Sequence, residues 1–596
     1  MSEKFSGKAP GYGGDITAEI EMDGGALKAV HLEGRWESPG IGDIALEKLE
    51  SVFLESGSPD VDVVSGATVT SMGARFAFRH ALENAGVLEP LPEVTVELET
   101  DVLIVGCGSS GVTAALAAAE RGARVIMMDR TTVFGGNGLY AHGGFFVESY
   151  CQKRAGETYT CKQAYDEAMY FANYLCDPIL MRDVIFESGE TVRWCNSHGA
   201  GLFLLDHYKS SAQEGLPFTY HGWGDNDTFG NFKRELDHFG NVEYLMGTKC
   251  TELIQGKDGA VLGAVGEKID GTKVRVKAGA VYIGTGGYIG NRKMIAEAVG
   301  DEVAHYLIAD TPEVSDGTGI RMAWKAGAAK RGHKLLGTHG ARTGFGHPRD
   351  GLLGVDLLTY IPILWVNRDG RRFMNEEIIT NALLFSNTIL AQGGYSFIVF
   401  DQASLDQWKT KKIPLKMAFW DRFSDDYYCP PVTTFEEDFP ITVKGGGGFK
   451  ADTLSELAEM FGAEPATLEK TVSDYNIAVD SKKDDEFFKS EESLVFPVKE
   501  GPFYAIRCCL QAQGTSGGVA INRRMQAVDE SGNVIPNLYV GGSDAGGLYS
   551  ASYTNHAGMA ISWALTSGRI AGIRMAEQLG FDKVVKTSLY PDPEEV

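Results

Sequence analysis

The sequence predicts an α/β protein: a doubly wound parallel sheet, interrupted by an inserted α+β unit and preceded by a small α+β unit. Three observations carry that prediction. A strand, a glycine turn, an apolar helix and a second strand follow one another from Asp101 to Asp129, the βαβ order of a parallel sheet. Between about residues 335 and 500 the texture shifts to more aromatics, prolines and charge, and glycine turns between strand-like runs return only after Gly501. Glycine occurs 74 times in 596 residues without a collagen period, so many positions need positive φ or close approach of backbone to a ligand.

Taken in order, residues 16 to 34 alternate apolar and polar around Asp23-Gly24-Gly25, which reads as a β-hairpin. Gly73 to Gly86 has helical periodicity, and Val87 to Glu93 reads as a linker, so the leading unit spans 1–93. Asp101 to Gly106 and Arg124 to Asp129 are short buried strands flanking a helix from Val112 to Arg121. Further strands are expected at Val242 to Met246, Val261 to Val265, Val274 to Val276 and Ala280 to Ile283. The doubly wound unit is then assigned 98–334 and 501–582, with 335–500 as the insertion.

Composition narrows the function. Hydrophobic residues at 43% and charged residues at 23% indicate a globular chain rather than disorder. A formal charge of −25 argues against nucleic acid and anionic lipid as partners. No apolar run is long enough to span a bilayer, and no basic stretch with an apolar core opens the chain. A cytoplasmic location is expected, with an exported protein lacking its signal peptide as the alternative. Nine cysteines without a Cys-x-x-Cys pair predict buried reduced thiols and no metal site.

Gly106-Cys107-Gly108-Ser109-Ser110-Gly111 lies between the first strand and the helix. Gly106 permits the tight turn, Gly108 lets a pyrophosphate reach the backbone, and Gly111 lets helix pack on strand, while the helix N-terminus adds positive potential. Asp129 ends the second strand about 20 residues on, where a carboxylate accepts hydrogen bonds from an adenosine ribose. A dinucleotide site is the reading; plain turns are the alternative.

More glycine-rich stretches follow: Phe134-Gly135-Gly136-Asn137-Gly138, Ala141-His142-Gly143-Gly144, Ile283-Gly284-Thr285-Gly286-Gly287 and Val540-Gly541-Gly542-Ser543-Asp544-Ala545-Gly546-Gly547. With these the chain from about 98 to 582 resembles the flavoprotein subunit family of fumarate reductase and succinate dehydrogenase. The resemblance is to its soluble branch of flavocytochrome c fumarate reductase, urocanate reductase and 3-oxosteroid dehydrogenases. It implies FAD held by Gly106, Gly108, Ser110, Gly111, Asp129, Arg130, Gly136, Asn137, Gly138, Gly143, Gly144, Thr285 and Gly286, with the chain closing over the isoalloxazine around Ala560 and Ile561. It also makes the insertion a cap that closes over substrate. Where the family usually has an acid this chain has Ser543, so either Asp544 substitutes or a ribityl contact is lost.

A second flavin signal precedes the first. Asp62-Val63-Val64-Ser65-Gly66-Ala67-Thr68 resembles the acceptor motif of FMN-binding domains, where a flavin transferase joins the FMN phosphate to a hydroxyl, here that of Thr68. Such a site needs a short exposed alcohol with small neighbours, supplied by Ser65, Gly66 and Ala67, at a turn whose N–H groups neutralise phosphate. A plain helix N-cap is the alternative.

In that family an activated C=C bond takes hydride on one carbon and a proton from an arginine on the other, while arginines and histidines grip two carboxylates. The run Asn367 to Glu376 resembles the stretch before the proton-donating arginine, yet Asn375 to Asp401 contains no arginine. The carboxylate-binding histidine is Gly514 in Gly514-Thr515-Ser516-Gly517-Gly518, the substrate arginine falls at Asn555, and the Thr-Glu pair becomes Val355-Asp356. Only His339 matches a pocket histidine. Without a bidentate clamp a four-carbon dicarboxylate is a poor substrate. Asp356, Tyr360, Thr515, Ser516, Tyr549 and Asn555 are the candidate substrate contacts, and Tyr553, His339 and His556 the catalytic candidates, Tyr553 first as general acid. Core aromatics with satisfied hydroxyls are the alternative for the tyrosines.

The resulting expectation is an FAD-dependent reductase of the C=C bond in an α,β-unsaturated acid or enone, aromatic or polycyclic rather than fumarate. FMN would relay electrons from an external donor, as in anaerobic respiration. The alternatives are a dehydrogenase running an oxosteroid-type desaturation and a non-catalytic electron-transfer flavoprotein.

Overall fold

The computed structural model describes the chain from Ser2 to Glu594 except residues 13, 35–36, 38–39, 92, 206–218, 313, 333, 335, 344–353, 419–427, 550–552 and 554. The leading unit is a three-stranded antiparallel sheet, Glu3–Pro10, Asp15–Asp23 and Ala26–Glu33 in that order, with helices Gly42–Ser56 and Thr68–Asn84. The expected hairpin turns at Gly24 and Gly25, with φ of +58° and +83°, the positive values that a tight hairpin turn requires. Its partner strand Glu3–Pro10 went unforeseen because it fully buries only Gly7 and Ala9, too faint an alternation to read. A Cβ on Gly7 would lie 2.3 Å from the Ala77 carbonyl oxygen, so the helix rests directly on this strand. Phe53 and Phe78 stack at 4.5 Å to join the two helices in the small core.

The larger sheet has eight strands. Thr95–Val105 pairs in parallel with Val125–Asp129 on one side and Lys273–Ile283 on the other; Val242–Met246 and Val534–Val540 add further parallel strands. Val261–Lys268 and Thr248–Gln255 extend the sheet in antiparallel sense. The runs Val274 to Val276 and Ala280 to Ile283 are one continuous strand. Every residue of helix Ser109–Ala119 is buried, because helix Met559–Gln578 packs against it through glycines: a Cβ on Gly568 or Gly572 would lie 2.1 Å from Ser110 O or 2.3 Å from Ala114 O.

The inserted unit has a six-stranded sheet ordered Ile308–Ala309, Phe503–Thr515, Tyr395–Asp401, Trp365–Val366, with Leu336–Arg342 and Gly448–Ala451 also pairing to Phe503–Thr515. The boundary expected at 501 therefore needs correction. Phe503–Thr515 is the spine of the inserted sheet, and the chain rejoins the larger sheet only at Gln526–Val528 and Val534–Val540. The sequence disguised this because the strand is buried for most of its 13 residues, so it carries no alternation to tell one sheet from the other.

The nine cysteines are unpaired. Among the described residues no helix is long and apolar enough to cross a membrane, and no group of His, Cys, Asp and Glu is arranged to hold a metal ion.

Candidate active site

A cavity of about 710 Å³ runs from the first glycine turn to the inserted sheet. At one end Gly106 has φ +105°, and a Cβ there would lie 2.2 Å from Gly284 O; one on Gly111 would lie 1.8 Å from Gly106 O. A Cβ on Gly108 meets no atom within 4 Å, so the backbone there is open to the cavity. This is the cradle a pyrophosphate needs above the N-terminus of Ser109–Ala119. Gly106, Gly108, Ser110, Gly136, Asn137, Gly138 and Gly143 line the cavity, while Gly111 and Gly144 stand behind the wall, where they allow packing.

Asp129 lines this end too. One oxygen accepts the Cys107 N–H at 2.6 Å, and the other accepts the Thr131 N–H and hydroxyl at 2.7 and 2.8 Å. Burial raises its pKa against those bonds. Arg130 beside it donates to Val314 O at 2.8 Å, Asp316 at 3.1 Å and Asp15 of the leading unit at 2.8 Å. Asp316 also takes the Lys249 ammonium at 2.8 Å. Burial would raise its pKa, but the Lys249 and Thr318 hydrogen bonds and the Arg130 charge bring it down to about 2. Asp316 and Lys249 escaped the sequence reading; the available signal was Asp316-Gly317-Thr318-Gly319, another glycine turn opening a helix.

In the middle of the groove Thr285, Gly286 and Ser543 line the wall, and Asp544 does not. Asp544 is fully buried and accepts from the Thr285 N–H, from the Thr285 hydroxyl at 3.0 Å and from the Gly287 N–H at 2.8 Å. It ties the two late glycine turns together, and burial pushes its pKa up to about 6. Of the two options for the ribityl contact, Asp544 faces protein and Ser543 faces the cavity.

The far end lies between the two sheets. His339, Thr515, Ser516, Tyr553 and Asn555 line it, with Ala560 and Ile561 at the start of the last helix. Tyr553 Oη accepts the Ala560 N–H at 2.6 Å, and Thr515 Oγ1 accepts the Tyr288 N–H at 2.9 Å. Four expected contacts are not among the residues lining the cavity. His556 is buried, stacks on Phe145 at 4.2 Å and engages the Ala164 carbonyl oxygen at 3.0 Å; burial drives its pKa down to about 4. Asp356 accepts from Thr343 N–H and hydroxyl at 2.9 and 2.7 Å. Tyr360 is buried beside Arg342, and Tyr549 is buried under Tyr553 with ring centroids 5.3 Å apart. Sequence proximity to pocket residues could not separate the wall from what backs it. Asn381, Leu383, Leu384, Phe171 and Tyr220, which also line the cavity, lie on segments without a motif.

In the leading unit, Thr68 is exposed at the first position of its helix, and Ser65 and Gly66 are exposed beside it, with Gly66 at φ +83°; Ala67 is buried. The N-cap residue Ala67 supplies no side-chain cap, so it leaves the first N–H groups of this helix the donor capacity that a phosphate site requires.

Residues 101–558 match the FAD binding domain family, and residues 11–83 match the FMN-binding domain family. The chain belongs to the FAD binding domain family. It is 27% identical over 489 residues to vinyl phenol reductase of Lactiplantibacillus plantarum, covering 80% of this chain and 96% of that one. It is 25% identical over 607 residues to urocanate reductase of Eggerthella lenta, covering 96% and 92%. Among solved structures, the open conformation of a flavocytochrome c3 fumarate reductase superposes with a TM-score of 0.60 at 26% identity, over 80% of this chain and 78% of that one. The chain is thus a flavin-dependent, fumarate reductase-like oxidoreductase of carbon–carbon bonds, with FAD and FMN as its cofactors.

Proposed function

We propose that this enzyme reduces the C=C bond of an α,β-unsaturated acid or enone with an aromatic or polycyclic body, with FMN, joined through its phosphate to Thr68 by a flavin transferase, relaying electrons from an external donor. One observation carries the reading. Among the described residues lining the cavity the only arginine and lysine are Arg130 and Lys249, both held at the nucleotide end by Asp316. Of the arginines in and before the run Asn367 to Glu376, Arg372 is buried against Glu376 and Asp484, Arg368 pairs with Glu302 at 2.6 Å, and Arg342 pairs with Asp310 at 3.3 Å. A far end lined by Tyr553, Asn555, His339, Leu383 and Leu384 suits an apolar ring with one polar group better than two carboxylates. The names of the vinyl phenol and urocanate relatives favour a ring-bearing substrate as well.

Bound FAD supplies the hydride. The rest falls to side chains. The hydrogen bond from Ala560 occupies a lone pair of Tyr553 Oη, and the hydroxyl's own hydrogen is the proton assigned to the substrate in this reading. Loss of that proton leaves a phenolate against an N–H at the positive end of Met559–Gln578, which favours donation to the substrate α-carbon. His339 and Asn555 offer donors to a substrate carbonyl, and closure of the inserted unit over bound substrate would exclude water from the reacting end. The test is anaerobic mixing of dithionite-reduced enzyme with cinnamates, cyclic enones and fumarate. FAD reoxidation by a cinnamate or enone is expected; brisk succinate formation from fumarate would overturn the reading.

A further inference from the structure

We propose that the leading unit docks on the FAD unit with its flavin-attachment end facing the adenosine end of the FAD groove, pinned by Asp15 and Arg130, and that this docking helps retain FAD. The pin joins two units that are far apart in sequence. Arg130 follows the ribose carboxylate Asp129, lines the cavity and is 16% exposed; its guanidinium fork spans Val314 O, Asp316 and the Asp15 carboxylate. Val314 and Asp316 are themselves cavity wall, so Asp15 completes the set of acceptors that fixes this arginine.

Two further contacts define the interface. Ile269, in the turn between the strands Val261–Lys268 and Lys273–Ile283, packs against the leading unit's core. The Lys273 ammonium pairs with Glu93 at the end of the linker. The orientation follows from the hairpin that carries Asp15. Asp15 pairs with Pro10, and a Cβ on Gly73 would lie 2.6 Å from Pro10 O and 3.0 Å from Gly11 Cα. The Asp15 turn therefore lies against the first turns of Thr68–Asn84, the end that carries Thr68. A largely buried arginine loses more than a surface one when an acceptor is withdrawn, and coupling between FAD and the docked unit must act in both directions.

The experiment measures two things on the full-length holoenzyme, Asp15→Ala and Ile269→Asp: FAD release after dilution, followed by flavin fluorescence, and cleavage by a glutamyl endopeptidase after Glu93, exposed at the end of the linker and followed by Val94. Asp15→Ala should release FAD roughly 3- to 30-fold faster, the range expected when one charge-assisted contact is lost. Both variants should be cut several-fold faster than the parent, and removal of FAD from the parent should speed cleavage too. FAD release at the parent rate from Asp15→Ala overturns the proposal, as does cleavage of Ile269→Asp at the parent rate. Circular dichroism of each variant separates loss of docking from loss of fold.

Discussion

The Tyr553 hydroxyl accepts the backbone N–H of Ala560 across 2.6 Å, so the residue proposed as the acid also closes the first turn of helix Met559–Gln578. The bond places a phenol at a helix N-terminus on the wall of the cavity. It joins two residues that the sequence assigned to different tasks, proton donation and closure over the flavin ring.

Tyr553→Phe keeps the ring and removes the proton. Turnover should fall by about 10²- to 10⁴-fold, the range for losing a positioned general acid, while FAD content stays at the parent value. Because Ala560 is exposed, solvent can replace the lost acceptor in the substrate-free enzyme, and stability should change little. Parent-like turnover in this variant would transfer the proton to another donor.

Asp544 makes stability depend on pH in an identifiable way. Its folded pKa, raised to about 6 by burial, exceeds the ordinary carboxylate value of about 4, so between the two the folded state binds more protons. The contribution of this group is therefore greatest below about pH 4, declines as pH rises and levels off above about 6. Subtracting the urea-unfolding profile of Asp544→Asn from that of the parent should leave this slope; a flat difference would mean that Asp544 titrates normally.

The inserted unit rests on a buried ionic cluster. Arg372 Nη2 donates to Glu376 and Asp484, each at 2.9 Å, and Lys489 donates to Pro362 O at 2.6 Å and Tyr475 Oη at 3.0 Å. Removing one member strands the others without water, so Asp484→Ala should cost about 3–5 kcal/mol in denaturant unfolding. Arg372→Met with Asp484→Leu should recover part of that cost. A loss in the double variant equal to the sum of the two single losses would show that the cluster is not coupled.

Thr68→Ala tests the covalent flavin. The residue is exposed at the first position of its helix, so the fold should persist. Intact mass should drop by one FMN relative to the parent, and Thr68→Ser should retain it. Identical masses for parent and Thr68→Ala would discard attachment at this hydroxyl.

The parts of this protein legible in its sequence are those whose chemistry leaves little choice of residue. A turn that must admit pyrophosphate needs Gly106, Gly108 and Gly111 in that spacing, and a two-glycine hairpin turn announces itself at Gly24-Gly25. Burial on both faces erased the alternation that would have placed Phe503–Thr515 in the inserted sheet. At the site, sequence could nominate Tyr553 and His556 together because they lie three residues apart. Only packing separates them, since one faces the cavity and the other stacks on Phe145. Leu383, Leu384 and Tyr220 are ordinary apolar residues until the chain folds them around a groove.

Gly514 offers the sharpest test of what the cavity selects. It lines the wall next to Thr515 and Ser516, and a Cβ built on it meets nothing within 4 Å, with no positive φ to strain a side chain. A histidine there is therefore sterically admissible and must project into the far end, where the resemblance places the family's carboxylate-binding histidine. Gly514→His should leave the unfolding midpoint and FAD content near the parent values while shrinking the space for an aromatic body. For a bulky cinnamate or enone kcat/KM should fall at least tenfold, about 1.4 kcal/mol of transition-state binding, and a small unsaturated acid should be affected far less or favoured. An equal loss across large and small substrates would mean that Gly514 serves the flavin or the fold rather than substrate size.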